Sequence, residues 1–172
     1  GSAAPLARGL GDSFRVLEPL QRTSDSGALT VQQHIDDLRE AVSEWCSGSA
    51  PALVGHSWGA MLALAYAAQF PETMSSIVLV GCGTFDSRSR AVLQRTVNER
   101  ATADFNASVA RVLRGITDPD VQMCVLARQL DPLYTFDGVP EDDETEDYDS
   151  AGSAQSWQDM VRLQERAVYP QS

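Results

Sequence analysis

The stretch Gly55-His56-Ser57-Trp58-Gly59 constrains this chain more than any other part of its sequence. The apolar residues 51–54 before it predict a short buried strand, and the uncharged residues 60–70 after it predict a buried helix. A G-x-S-x-G pattern between a strand and a helix is typical of a nucleophile elbow, a tight turn with the serine hydroxyl at its tip. We expect this turn to leave no room beside the serine, which would explain both flanking glycines.

This arrangement predicts a candidate site for nucleophilic catalysis. Ser57 would be the nucleophile, at a helix N-terminus that favours developing negative charge. The backbone amide of Trp58 is placed to donate to an oxyanion, and Gly55, His56 and Gly59 complete the elbow. The alternative is a serine without a chemical role in an ordinary strand-to-helix turn.

The first half of the chain alternates predicted strands and helices. Residues 14–17 and 77–80 read as strands on either side of the elbow strand, and Thr30 with Gln33 forms a capping box that begins an amphipathic helix. This order predicts an α/β fold with a parallel β-α-β-α-β core. In such sheets ligands bind beyond the carboxyl ends of the strands, which is where Ser57 lies.

The second half of the chain is helical in composition. Apolar residues recur every fourth position from Leu93 to Leu113, a stripe too long for one face of a straight helix, so we expect a bend or break near Thr102 to Asn106. Residues 121–130 and 157–164 predict further helices. Residues 141–149 hold seven acids, and we expect a solvated loop there because calcium-loop spacing is absent. Four aromatic side chains could line an acyl pocket or pack among the helices; they are Tyr134, Phe136, Tyr148 and Trp157.

Residues 54–61, with Leu64-Ala65-Tyr66-Ala67 and Phe70-Pro71-Glu72, resemble the elbow and next helix of the α/β-hydrolase superfamily. The Ser-Trp-Gly and Ala-Leu-Ala-Tyr-Ala pieces are similar to the proline iminopeptidase branch, which usually has Gly where this chain has His56. The resemblance implies a partial α/β-hydrolase fold. Residues 1–86 would form the core segment with the elbow, and residues 87–172 a helical cap.

The resemblance also implies a histidine and an acid on loops after later strands. This chain has two histidines. His56 should point away from the serine, and His34 should be a packed or surface residue on the flank of the sheet. We therefore expect a chain truncated at both ends, with the catalytic acid and histidine outside it, that is inactive alone. Unpaired sheet edges would favour self-association.

Composition excludes several other classes of function. The net charge of −11 argues against binding to nucleic acid or to an anionic membrane surface. The three cysteines are scattered, so no disulfide framework or zinc site is indicated, and we expect no metal and no cofactor. No signal peptide or membrane-length apolar run is present, which favours a cytoplasmic protein. We expect a serine hydrolase that acts on a small acyl compound (ester, thioester or N-terminal peptide amide) through an acyl-enzyme on Ser57. The rival hypothesis is a non-catalytic binding or structural domain, or an inactive fragment that keeps the elbow for packing.

Overall fold

The computed structural model describes residues 4–46, 48–135 and 148–169 of the chain. Its helices and strands follow one another in this order: α1 (Ala4–Leu10), α2 (Val31–Trp45), β1 (Ala52–His56), α3 (Trp58–Gln69), β2 (Ser76–Val80), α4 (Ser87–Arg100), α5 (Ala103–Leu113), α6 (Pro119–Tyr134) and α7 (Ser150–Glu165). Short 3₁₀ turns lie at Ser24–Ser26 and Pro71–Thr73. The chain divides into two compact units. One comprises residues 1–87 and 152–172, and the other comprises residues 88–151.

The core of the first unit forms around α2 and α3. The Thr30 hydroxyl accepts a hydrogen bond from the Gln33 amide at 3.1 Å, which confirms the predicted start of α2. Val31 and Ile35 on that helix are fully buried. Helix α3 is buried on most sides, as its lack of charge predicts, and its Met61 and Tyr66 join the same cluster. Burial of this apolar surface stabilises the unit and holds α3 against the sheet.

Strands β1 and β2 pair in parallel, with Leu53 opposite Ile77 and His56 opposite Val80. The two strands therefore end at the same edge of the sheet, immediately before Ser57 on one and Gly81 on the other. Apolar side chains on this small sheet remain partly accessible, with Val78 46% exposed, whereas a parallel sheet is normally covered on both faces.

The predicted strand at residues 14–17 is wrong. These residues have no regular secondary structure, and the Phe14 side chain is 65% exposed. An alternating apolar pattern indicates that a segment would suit a half-buried strand. A strand forms only where a neighbouring strand pairs with its backbone N–H and C=O groups. No such neighbour lies beside residues 14–17 in the described part of the chain. The observed core is thus α-β-α-β, and the α/β fold class stands.

The second unit contains α4, α5 and α6. The predicted break is confirmed: α4 ends at Arg100, and the Thr102 hydroxyl accepts from the Phe105 amide at 3.1 Å to cap α5. The Arg100 guanidinium donates to the Leu133 carbonyl at 2.7 Å, which joins α4 to α6. Phe136 and most of the acidic run, residues 141–147, lie outside the described residues. Tyr134 in this unit is exposed, as is Trp157 in the first.

Candidate active site

Ser57 lies in the turn between β1 and α3 with an unusual backbone conformation. Its φ is 51° and its ψ is −114°, a region that costs a non-glycine residue about 1–3 kcal/mol. Two sets of backbone hydrogen bonds hold it there. The Ser57 amide donates to the Val80 carbonyl at 3.0 Å, and the Ser57 carbonyl accepts from the amides of Ala60 at 3.2 Å and Met61 at 3.3 Å. The end of β2 and the first turn of α3 therefore fix this residue between them.

Gly55 is the glycine that the elbow requires. A Cβ on Gly55 would lie 2.3 Å from the Gly59 carbonyl oxygen and 2.6 Å from the Ala60 Cα. At Gly59 itself, a Cβ would meet no described atom within 4 Å. The prediction that both glycines are needed for room is therefore wrong for Gly59. Only Gly55 needs the space, because its Cβ would face the backbone of Gly59 and Ala60, whereas a Cβ on Gly59 would point away from the strand.

The atoms that would carry chemistry at the elbow are accessible. Ser57 is exposed, and its hydroxyl makes no capping bond to α3. Trp58 is the first residue of α3, where an amide has no acceptor inside the helix. Its amide makes no hydrogen bond to any residue that the structure describes. The serine hydroxyl and a free N–H donor thus lie on adjacent residues at a helix N-terminus.

His56 is the last residue of β1, and its side chain is exposed. Its ring extends towards the start of the loop after β2, because a Cβ on Gly81 would lie 3.7 Å from both Cδ2 and Nε2 of His56. The described residues contain no hydrogen bond between His56 and Ser57.

His34 is buried in the first unit, with 3% of its surface exposed. Its Nε2 and the Ser156 Oγ form a hydrogen bond of 2.8 Å, and its ring meets the Trp58 ring edge-on at a centroid distance of 5.9 Å. Burial lowers the pKa of His34; Asp37 acts to raise it and Arg22 to lower it. The sequence alone allows a packed or a surface histidine here, and the structure shows a packed one. The contacts with Ser156 and Trp58 had no signal in the sequence.

The C-terminal part of the chain holds the loop after β2 and the start of α3. These contacts had no signal in the sequence. The Gln164 side-chain amide donates to the Thr84 carbonyl at 2.5 Å, and the Tyr169 hydroxyl donates to the Met61 carbonyl at 3.0 Å. Burial raises the pKa of Tyr169 and, less strongly, that of the Cys82 thiol. The Thr84 hydroxyl is buried without a hydrogen-bond partner among the described residues. The contact of Gln164 with Thr84 places α7 beside the loop that begins at the same sheet edge as Ser57.

The described residues present neither a metal site nor a membrane-spanning helix. No group of three or more His, Cys, Asp or Glu side chains is arranged to hold a metal ion in that part of the chain. None of its helices is both long and apolar enough to cross a membrane.

Comparison with known proteins assigns the family. The sequence pattern of the family described as alpha/beta hydrolase fold matches residues 7–165. A curated relative, the Cis-3-alkyl-4-alkyloxetan-2-one decarboxylase of Shewanella oneidensis, is 34% identical over 65 residues, which are 37% of this chain and 20% of the relative. The chain thus matches about one fifth of the length of that relative. No solved structure matches. Because the family pattern covers most of its length, the chain belongs to the alpha/beta hydrolase family.

Proposed function

We propose that this chain carries the nucleophile of a serine hydrolase that acts on acyl compounds through an acyl-enzyme on Ser57. The observation that carries the proposal is the Ser57 backbone, held at φ 51° with its hydroxyl exposed at the start of α3. Strained conformations persist where the surrounding structure imposes them, and they cluster at active sites. Family membership supports an enzyme, and the elbow supports this reaction type.

The proposed mechanism begins with attack of the Ser57 Oγ on a carbonyl carbon. The hydroxyl proton passes to a general base, and the carbonyl oxygen becomes an oxyanion that accepts a hydrogen bond from the Trp58 N–H. The oxyanion collapses and expels the leaving group, which takes up a proton. Water then attacks the acyl-enzyme by the same route and releases the acid. The positive end of the α3 dipole stabilises the oxyanion in both steps.

The base is the part that the described residues do not supply. The chain contains two histidines, His34 and His56, and neither is hydrogen-bonded to Ser57. A serine hydroxyl without a base stays protonated, and general-base assistance contributes roughly 10²–10⁴-fold. We therefore propose that the catalytic histidine and its acid come from outside these 172 residues and that the chain alone does not turn over substrate.

For the substrate, we propose an ester in preference to a thioester or an N-terminal peptide amide. The name of the Shewanella relative specifies an oxetan-2-one, which is a four-membered cyclic ester. A proline iminopeptidase-like activity is the alternative that the residues around Ser57 suggest, and a cytoplasmic location is a part of the proposal that rests on the sequence alone.

The rival function is a binding or structural domain that keeps the elbow for packing. The close approach of Gly55 to Gly59 favours it, because that contact alone would preserve the shape of the turn whether or not Ser57 reacts. The two functions differ in what they require of the Ser57 hydroxyl.

A fluorophosphonate probe, with and without added imidazole, separates the two functions. Imidazole can act as an external base, so we expect imidazole-dependent phosphonylation, located at Ser57 by mass spectrometry and lost in Ser57→Ala. Ser49→Ala, which removes another exposed serine of the same unit, is the matched control and should label like the wild type. Absence of label at Ser57 at every imidazole concentration would favour the non-catalytic domain.

A further inference from the structure

A buried pair of polar side chains supports the aromatic ring next to the nucleophile. His34 lies on α2 and Ser156 on α7, and the two are joined at 2.8 Å. Both are buried, at 3% and 6% exposure. The His34 ring also meets the indole of Trp58, at an interplanar angle of 77°. The residue that follows Ser57 is thereby linked to a helix about a hundred residues further along the chain.

Two further hydrogen bonds fix α7 to the same place. The Gln155 side chain accepts from the Leu29 amide at 2.9 Å, and the Asp159 carboxylate accepts from the Val31 amide at 2.9 Å. Val31 is the first residue of α2, so Asp159 also places a negative charge at a helix N-terminus, where it is stabilising. These two bonds hold α7 in position without Ser156, so the bond between Ser156 and His34 is not needed to place the helix.

Packing alone does not explain a histidine at this position. Its neighbours on α2, Val31 and Ile35, are fully buried and apolar, and a buried polar group is costly unless it is hydrogen-bonded. An apolar side chain would fill the same space without needing Ser156. The imidazole instead presents a directed edge to the Trp58 ring, in a geometry that aromatic pairs prefer, and the Ser156 bond sets the rotation of the imidazole.

We propose that His34 is a positioning residue: held by Ser156, it fixes the Trp58 ring and, together with the hydrogen bonds to the Ser57 carbonyl, the orientation of the Trp58 N–H towards the oxyanion site. This inference rests on the proposed function of Ser57. The Trp58 N–H shares a planar peptide group with the Ser57 carbonyl, which accepts from the amides of Ala60 and Met61. Those bonds restrain Trp58 at its backbone, and the contact with His34 restrains the same residue at its side chain.

The test compares two single changes on α7. Ser156→Ala removes the bond to His34, whereas Gln155→Ala removes a bond of similar length from the same helix to the backbone before α2. The first readout is the ¹H–¹⁵N chemical shift of the Trp58 amide. The second is the rate of imidazole-assisted phosphonylation of Ser57 by the fluorophosphonate, measured on the whole chain.

We expect Ser156→Ala to shift the Trp58 amide and to slow labelling of Ser57 on the order of tenfold, since small misplacements of a catalytic group are costly. Ser156→Thr, which keeps the hydroxyl, should restore both. Gln155→Ala should change neither, even where its melting temperature falls as far. A Trp58 amide that is unmoved by Ser156→Ala, or moved equally by Gln155→Ala, would overturn the positioning role. If Ser57 is never labelled, the proposed function fails separately, and the amide shift alone decides whether His34 positions Trp58.

Discussion

Replacing Gly55 by alanine tests how tightly the elbow is built. The added methyl carbon would lie 2.3 Å from the Gly59 carbonyl oxygen, 2.5 Å from its carbonyl carbon and 2.6 Å from the Ala60 Cα. All three are backbone atoms, so no side chain can rotate away to make room. Either the β1 backbone or the start of α3 must move.

The expected loss of stability follows from this geometry. Overpacking costs about 1–3 kcal/mol, and a clash with backbone belongs at the upper end. For a chain of this size, about 3 kcal/mol corresponds to a fall of roughly 6–12 °C in melting temperature. Gly59→Ala is the matched control. Its Cβ would meet open space in the described part of the chain, and alanine is favoured over glycine in a helix by roughly 0.5–1 kcal/mol.

Urea unfolding, followed by far-ultraviolet circular dichroism, measures both changes. The slope of the unfolding free energy against urea concentration should not change. The urea midpoint should fall for Gly55→Ala and should stay or rise for Gly59→Ala. A wild-type midpoint for Gly55→Ala would mean that the strand and the helix do not approach so closely. An equal loss in Gly59→Ala would mean that the turn is crowded on both sides of Ser57, as the sequence pattern alone suggests.

Two further predictions concern the first unit. Ala167 has a φ of 54° after the end of α7, a left-handed conformation that costs an L-residue roughly 1–2 kcal/mol, so Ala167→Gly should raise the urea midpoint; an unchanged midpoint would mean that the local backbone is not strained. Burial lowers the pKa of His34, with Asp37 opposing and Arg22 assisting, so the folded state favours the neutral ring. As the pH falls below the unfolded value of about 6.5, the unfolded chain binds the proton first, and stability should fall until the lower folded pKa is passed. Unfolding measured from pH 8 to pH 5 should show this loss in the wild type and in the exposed-site control His56→Gln, but less of it in His34→Gln; equal slopes in all three would contradict the assignment.

The sequence predicts the elements whose signals are local. The strand and helix around Ser57 follow from an apolar run and an uncharged run on either side of a recognisable turn. The start of α2 follows from the capping side chain of Thr30, which acts within one helical turn. The break before α5 follows from a stripe that drifts around a straight helix, and the chain does interrupt the helix at that point. In each case the cause and its effect lie within a few residues.

The features that sequence reasoning missed depend on distant partners. Residues 14–17 carry a strand pattern, but a strand needs a neighbour that no local pattern can supply. The bond between His34 and Ser156 joins positions 122 apart, and the bond between Gln164 and Thr84 joins positions 80 apart. The prediction that Gly59 is needed for room is wrong for the same reason, because the direction of a Cβ at this position depends on how the strand crosses the helix.

The conformation of Ser57 gives a way to decide between a reactive and a purely structural elbow. Glycine can adopt a φ of 51° with little cost, whereas serine there loses about 1–3 kcal/mol. The backbone hydrogen bonds of Ser57 would be the same with glycine, and the serine side chain is exposed and makes no capping bond, so no described contact of that side chain offsets the cost. If the turn serves packing alone, serine is the less stable choice. Ser57→Gly should therefore raise the urea midpoint by an amount equivalent to about 1 kcal/mol, and it should also remove the site of phosphonylation. A strained catalytic residue is expected to lower stability in this way in exchange for activity. A lower midpoint in Ser57→Gly would show that the serine stabilises the fold, and the argument from strain to chemistry would then fail.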